Sequence, residues 1–192
     1  MARPAKFDQD GILDAAAAVA AESGHGAVTI TAIAARLGAP SGSVYHRYGS
    51  RDLLLAHLWI RTVRRFQEGF LAAIAADDLP QAVRQAAAHT VHWSAAHPDE
   101  ARLLLTHHAG DLTERWPDEL GEELARLNDA TKRAMADLAR RSGADLDRVV
   151  FALVDVPLAA VRRHLTAGTP IPEGAAGMAE TAALAVVLET CR

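Results

Sequence analysis

The sequence predicts an all-α protein: an N-terminal three-helix helix-turn-helix domain over residues 1–50, joined to a C-terminal helical domain over residues 51–192. Three observations predict it. No segment alternates apolar and polar residues with a period of two over a useful length, so no strand is expected. Apolar residues recur instead at three- and four-residue spacing, between Pro or Ser starts and Gly stops. Residues 28–54, VTITAIAARLGAPSGSVYHRYGSRDLL, hold two short helical stretches divided by a glycine-led turn of about four residues, which is helix-turn-helix spacing.

The elements follow in order. Asp8 to Ser23 places Ile12, Ala15, Ala16, Val19 and Ala20 on one face and stops at Gly24, a helix that packs against the reading pair. Ala32, Ile33 and Leu37 supply the apolar contacts of the next helix, which Gly38 ends. Ser41 then opens a helix to about Tyr48, with Ser41 as its cap and Pro40 just outside, because the bond before a proline favours extended backbone. Ser50 can cap a longer helix reaching about Ala75, with Leu54, Leu58, Ile60, Val63, Phe66 and Phe70 facing inward. Pro80, Pro98 and Pro117 mark further starts, the last two followed by acids that suit a helix N-terminus, and Gly110, Gly143 and Gly168 mark stops. The last two helices, roughly Leu146 to Ala167 and Gly174 to Thr190, carry more apolar surface than one core face needs. Either they bury a second face against a partner or they sit at the centre of a monomeric bundle.

Composition narrows the function classes. The chain has 192 residues, half of them hydrophobic, enough for a sizeable core. Its one cysteine, Cys191, allows no internal disulfide and fits a reducing compartment. The start, MARPAKFDQD, lacks the apolar core of a signal peptide, and the run Ala15 to Ala21 is too short to span a bilayer, so a cytoplasmic protein without a membrane partner is expected. The net charge of −4 hides an asymmetry. Residues 1–65 carry eight Lys/Arg against five acids, net +3, and the remainder twelve against nineteen, net −7. The positive end lies at the helix-turn-helix, as a duplex DNA partner requires.

The second helix of the pair displays Ser41, Gly42, Ser43, Tyr45 and His46, short or hydrogen-bonding groups suited to base edges in a major groove. The segment resembles the DNA-binding signature of TetR/AcrR-type transcriptional regulators: Thr29, Ile33-Ala34, Gly38, Gly42, Tyr45-His46-Arg47-Tyr48, Ser50, Arg51 and Leu53-Leu54 stand where that signature has a Thr, an Ile-Ala pair, Gly residues, Tyr-His-x-aromatic, a small residue, a basic residue and a Leu pair. Pro40 replaces the usual capping Ser, and Tyr48 and Arg51 replace the commoner Phe and Lys. The resemblance implies phosphate contacts from Thr29, Tyr48 and Arg51; Arg3 and Lys6 near the start are either a basic arm or ordinary surface charges. It also implies a homodimer built on the last two helices, a double-stranded palindromic DNA operator, and a small-molecule effector held in the C-terminal ligand-binding and dimerisation domain. A repressor released by that effector is the expected function, and no enzymatic activity is expected.

The effector chamber has to lie between the reading domain and the last two helices. His89, His92 and Trp93 at i, i+3 and i+4, His107 and His108 closing the next helix, and Phe151 with Asp155 one turn further on are its candidate lining. Each has a plainer alternative: the histidines as satisfied core or rim residues, and Asp155 facing solvent. Asp155 and Pro157 put an acid and a kink inside an apolar helix. The histidines also allow a metal-sensing regulator, with His89, His92 and His107 or Asp155 as ligands. No HExxH, CxxC, GxSxG or Gly-rich phosphate loop is present, so neither a cofactor nor a helical hydrolase is expected.

Overall fold

The computed structural model describes residues 8–106 and 117–188, and among them every regular element is helical. Arg3, Lys6, His107, His108, Gly110 and Cys191 lie outside the described residues. Helix α1 (Gln9–Ser23) is capped by Asp8, whose carboxylate accepts the Gly11 amide at 2.7 Å, and it ends on Gly24 at φ 79°. A short 3₁₀ turn (His25–Ala27) leads to α2 (Ile30–Leu37), capped by Thr29 and closed by left-handed Gly38 at φ 61°. Helix α3 (Ser41–Tyr48) follows. Here the expected cap differs: Ser41 is already helical, Pro40 holds the cap position at ψ 137°, and no side chain caps the helix. Proline's fixed φ suits that position, but its ring offers no acceptor for the first amides.

Ser50 caps α4 (Arg51–Ile74), accepting the Leu53 amide at 3.1 Å; at 24 residues this helix runs about 36 Å. Its inward face is the expected one, with Leu54, Leu58, Ile60, Val63 and Phe70 buried and Phe66 half-buried. Next come α5 (Leu79–Ala96), with Asp78 as cap and Pro80 in the first turn, α6 (Pro98–Thr106) and α7 (Asp118–Ser142), which ends on left-handed Gly143. The chain then continues through α8 (Leu146–Val150), a π-helical stretch (Phe151–Asp155) and α9 (Val156–Ala167), which ends on Gly168. The kink expected from Pro157 is a π turn: Val156 donates to the Phe151 carbonyl five residues back, and the proline, which has no N–H, follows directly. Helix α10 (Ala175–Leu188) packs along α5.

The apolar core has three parts. Ile12, Ala16, Val28, Ile33 and Val44 of the reading head pack with Leu54 and Leu58 of α4, and with Leu103 of α6 and Leu120 and Leu124 of α7. The head's core therefore reaches past residue 50 into the C-terminal helices. A second part joins Phe70, Val83, Leu138, Val149, Leu153 and Val187, and a third joins Val91, Val161, Leu165 and Ala179. Burying each such large apolar side chain contributes about 1.5–3 kcal/mol.

Candidate nucleic-acid interface and ligand cavity

Helix α3 is two-faced. Val44 and Tyr48, one turn apart, are buried, while Ser41, Gly42, Ser43, Tyr45, His46 and Arg47 are exposed. The five residues expected to read bases thus share one solvent-facing surface, and nothing lies within 4 Å of a Cβ built on Gly42. Thr29 is also exposed. Its Oγ1 accepts the Ala32 amide at 3.0 Å, which leaves the hydroxyl proton to donate outward.

Tyr48 corrects the expectation. It is 3 % exposed, its hydroxyl donates to the Gln9 carbonyl at 3.1 Å, and its ring meets His57 edge-on at 5.2 Å. Burial pushes its pKa up to about 12, against the opposing pull of the Arg61 charge. It is a peg that fixes α3 on α1 and α4, not a group presented to phosphate. Arg51 is partly committed as well, because its Nε donates to the Val28 carbonyl at 2.5 Å and ties the start of α4 to the turn before α2. Arg47 stands at the unspecified position of the Tyr-His-x-aromatic pattern, so the motif gives it no role. Yet it lies on the exposed face at the end of α3 and is the one arginine on the reading helix. A cation on a base-reading helix is the signal that could have found it.

Behind the head, α4, α5, α6, α7, the π turn and α9 enclose a cavity of about 390 Å³. Its wall is mostly apolar, with Phe66, Phe70, Leu104, Leu153, Val161 and Leu165 among its members, and its polar members are Gln67, Thr90, Ser94, Thr131 and Arg162. Of the expected lining, Trp93 is in place, edge-to-face with Phe66 at 5.2 Å.

His89 is not part of this wall. Its ring lies over Gly69, tilted against Phe66 at 5.1 Å, and its Nε2 meets the Phe66 carbonyl at 2.9 Å, so Nε2 carries the proton that it donates there. This is a half-buried histidine held by the backbone, not a cavity group. His92 is exposed and shares with His89 a separate open groove beside Glu180. Phe151 and Asp155 are corrected too. Both are exposed, because the π stretch turns Ala152 and Leu153 inward and leaves residues 151 and 155 on the outer side. Among the described residues, no group of three or more His, Cys, Asp or Glu side chains is placed to hold a metal ion.

Two predictions arise here. A Cβ on Gly69 would overlap the His89 ring, so Gly69→Ala should destabilise the protein by about 1–2 kcal/mol although alanine is the better helix former. In a His89→Ala background the same change should stabilise instead, by up to about 1 kcal/mol; urea unfolding of the four-member cycle measures both signs. The second concerns pH. Desolvation lowers the pKa of both His57 and His89 below their ordinary 6.5, the latter against a raising contribution from its bond to Phe66. The unfolded chain then binds these protons more readily than the folded one. Stability is therefore full above pH 6.5 and declines as pH falls below it. Melting temperatures across that interval should show the decline, and a His57→Asn, His89→Asn double variant should flatten it.

Residues 12–58 match the family model described as bacterial regulatory proteins, tetR family. Solved structures of similar fold span nearly the whole chain. A transcriptional regulator from Rhodococcus sp. Rha1 is 17 % identical with a TM-score of 0.74, covering 96 % of this chain and 100 % of that one. The TetR family regulator PfmR from Thermus thermophilus is 18 % identical with a TM-score of 0.67, covering 94 % and 99 %. FadR from Bacillus subtilis, solved with stearoyl-CoA, is 14 % identical with a TM-score of 0.69, covering 94 % and 98 %. Comparison with curated protein sequences gives no match. No helix among the described residues is long and apolar enough to cross a membrane.

Proposed function

Because residues 12–58 match the family model of TetR-type bacterial regulatory proteins, we propose that the chain is a ligand-responsive transcriptional repressor of that family. It binds a palindromic operator as a homodimer and leaves it when a small molecule fills the C-terminal cavity. In this reading Ser41, Gly42, Ser43, Tyr45 and His46 approach base edges, while Thr29, Arg47 and Arg51 face phosphates. The uncapped start of α3 adds backbone amides that favour a phosphate oxygen.

The observation that carries the proposal is the double membership of α6. Leu103 belongs to the core of the reading head, while its neighbours Leu104 and Leu105 and the preceding Ala101 line the cavity. A guest that fits better with α6 displaced shifts the heads toward a spacing that no longer matches the operator, by no more than its differential affinity for the two arrangements. A coupling of about 1–3 kcal/mol lowers operator affinity roughly five- to 150-fold. The apolar wall, together with the stearoyl-CoA found in the similarly folded FadR, supports an effector with a substantial apolar part. Leu146, Phe151 and Met178, exposed at 45 %, 51 % and 61 % on the last helices, supply the apolar face for a second copy.

Selection from a pool of randomised duplexes, followed by sequencing, tests the operator. The expected product is an inverted repeat whose half-site centres lie about one helical turn, roughly 34–36 Å, apart, or a multiple of that. Enrichment of a single asymmetric site would remove the dimeric reading, and absence of any enrichment would remove DNA recognition itself.

A further inference from the structure

We propose that the effector brings a hydroxyl group into this cavity and that Gln67 is its acceptor; the inference rests on the cavity being the effector site. Gln67 lies on α4 next to Phe66 and is only 8 % exposed. Its Oε1 is buried with no hydrogen-bond partner, and the residue forms part of the cavity wall. Buried amide oxygens in folded proteins are paired with protein, water or ligand, so an unpaired one facing a cavity identifies the partner a guest has to supply.

No donor of the surrounding wall pairs with it. Phe66, Phe70, Leu153 and Val161 have no donor, and the Thr131 hydroxyl already donates to the Leu127 carbonyl at 3.3 Å. A guest that is pure hydrocarbon inside the chamber, such as a saturated acyl chain, leaves Oε1 dry and unpaired. A guest with a hydroxyl pairs with it. The buried residues Thr90 and Ser94, one turn apart on α5, bring two further hydroxyls to the same wall that can donate to the guest's oxygen in return. At about 390 Å³ the cavity falls within the roughly 300–1,000 Å³ range of small-molecule sites. The chemical class is an apolar phenol or alcohol.

A matched pair of probes isolates the donor: para-pentylphenol and its methyl ether share shape and apolar area but differ in one O–H. Binding to the full-length protein is followed by tryptophan emission, with Trp93→Phe identifying the part that comes from the cavity wall. The phenol is expected to bind at least about tenfold more tightly than the ether. Gln67→Leu, which replaces an unpaired buried amide by a hydrocarbon of similar length and should fold at least as well, is expected to abolish that preference while still binding the ether. Equal binding of the two probes to the wild-type protein would overturn the role of Gln67 yet leave the chamber in place. Retention of the phenol preference in Gln67→Leu would overturn it as well. If neither probe changes Trp93 emission up to its solubility, the chamber itself is not a small-molecule site and the effector reading fails with it.

Discussion

Gly42→Leu is expected to reduce specific duplex binding by at least about a hundredfold, or roughly 2.7 kcal/mol, while leaving the fold slightly more stable. The two signs come from separate physics. Gly42 sits in α3, where glycine is a poor helix former, and a Cβ built there meets nothing within 4 Å. Leucine should therefore raise folding stability by up to about 1 kcal/mol. On the outer face the added side chain stands where base edges have to approach the backbone, and a side chain without hydrogen-bonding groups displaces Ser41 and Ser43 from contact distance. A gel shift at fixed salt, paired with a thermal melt, reads both effects. Unchanged binding would mean that α3 does not enter the groove; a lowered melting temperature would mean that the loss arose from the fold.

The second large effect is expected at the C-terminal helices. Introducing Phe151→Glu and Met178→Glu together should leave a particle of 20.4 kDa in light scattering, in place of one twice that mass. Both side chains are more than half exposed, so the substitutions disturb no buried contact within one copy, whereas two carboxylates facing an apolar partner surface are costly to desolvate. Operator affinity should fall by about a thousandfold or more, because a single head reads too few base pairs. Retention of the doubled mass would place the contact between copies elsewhere.

The reading head was legible because its signals are local. Asp8, Thr29 and Ser50 cap helices within three residues of themselves, and Gly24 and Gly38 end helices where positive φ is needed. Tyr48 was legible as a motif position but not as a peg. Its direction is decided by the Gln9 carbonyl, 39 residues away in sequence. The cavity lining was harder for the same reason. His89 and Trp93 share a helix face in sequence, but Gly69 on another helix opens the notch that takes the imidazole. Phe151 and Asp155 were placed by a regular helical period, and the π turn at Pro157 breaks that period. Gln67 was hidden in plain view: one polar residue on an apolar stripe reads as a surface position until the neighbouring helices are in place.

The sharing of Leu103, Leu120 and Leu124 with the reading head has a practical consequence for protein engineering. The proposed function invites chimeras in which this chain's operator preference is grafted onto another's sensor. A splice at the end of α3 would detach the head from Leu54 and Leu58 and seat it on foreign α6 and α7 side chains, opening voids or overlaps in the shared core. A graft that carries α4 through Val63 and transplants the three leucines as a set keeps that packing intact. The portable unit of this protein is discontinuous in sequence.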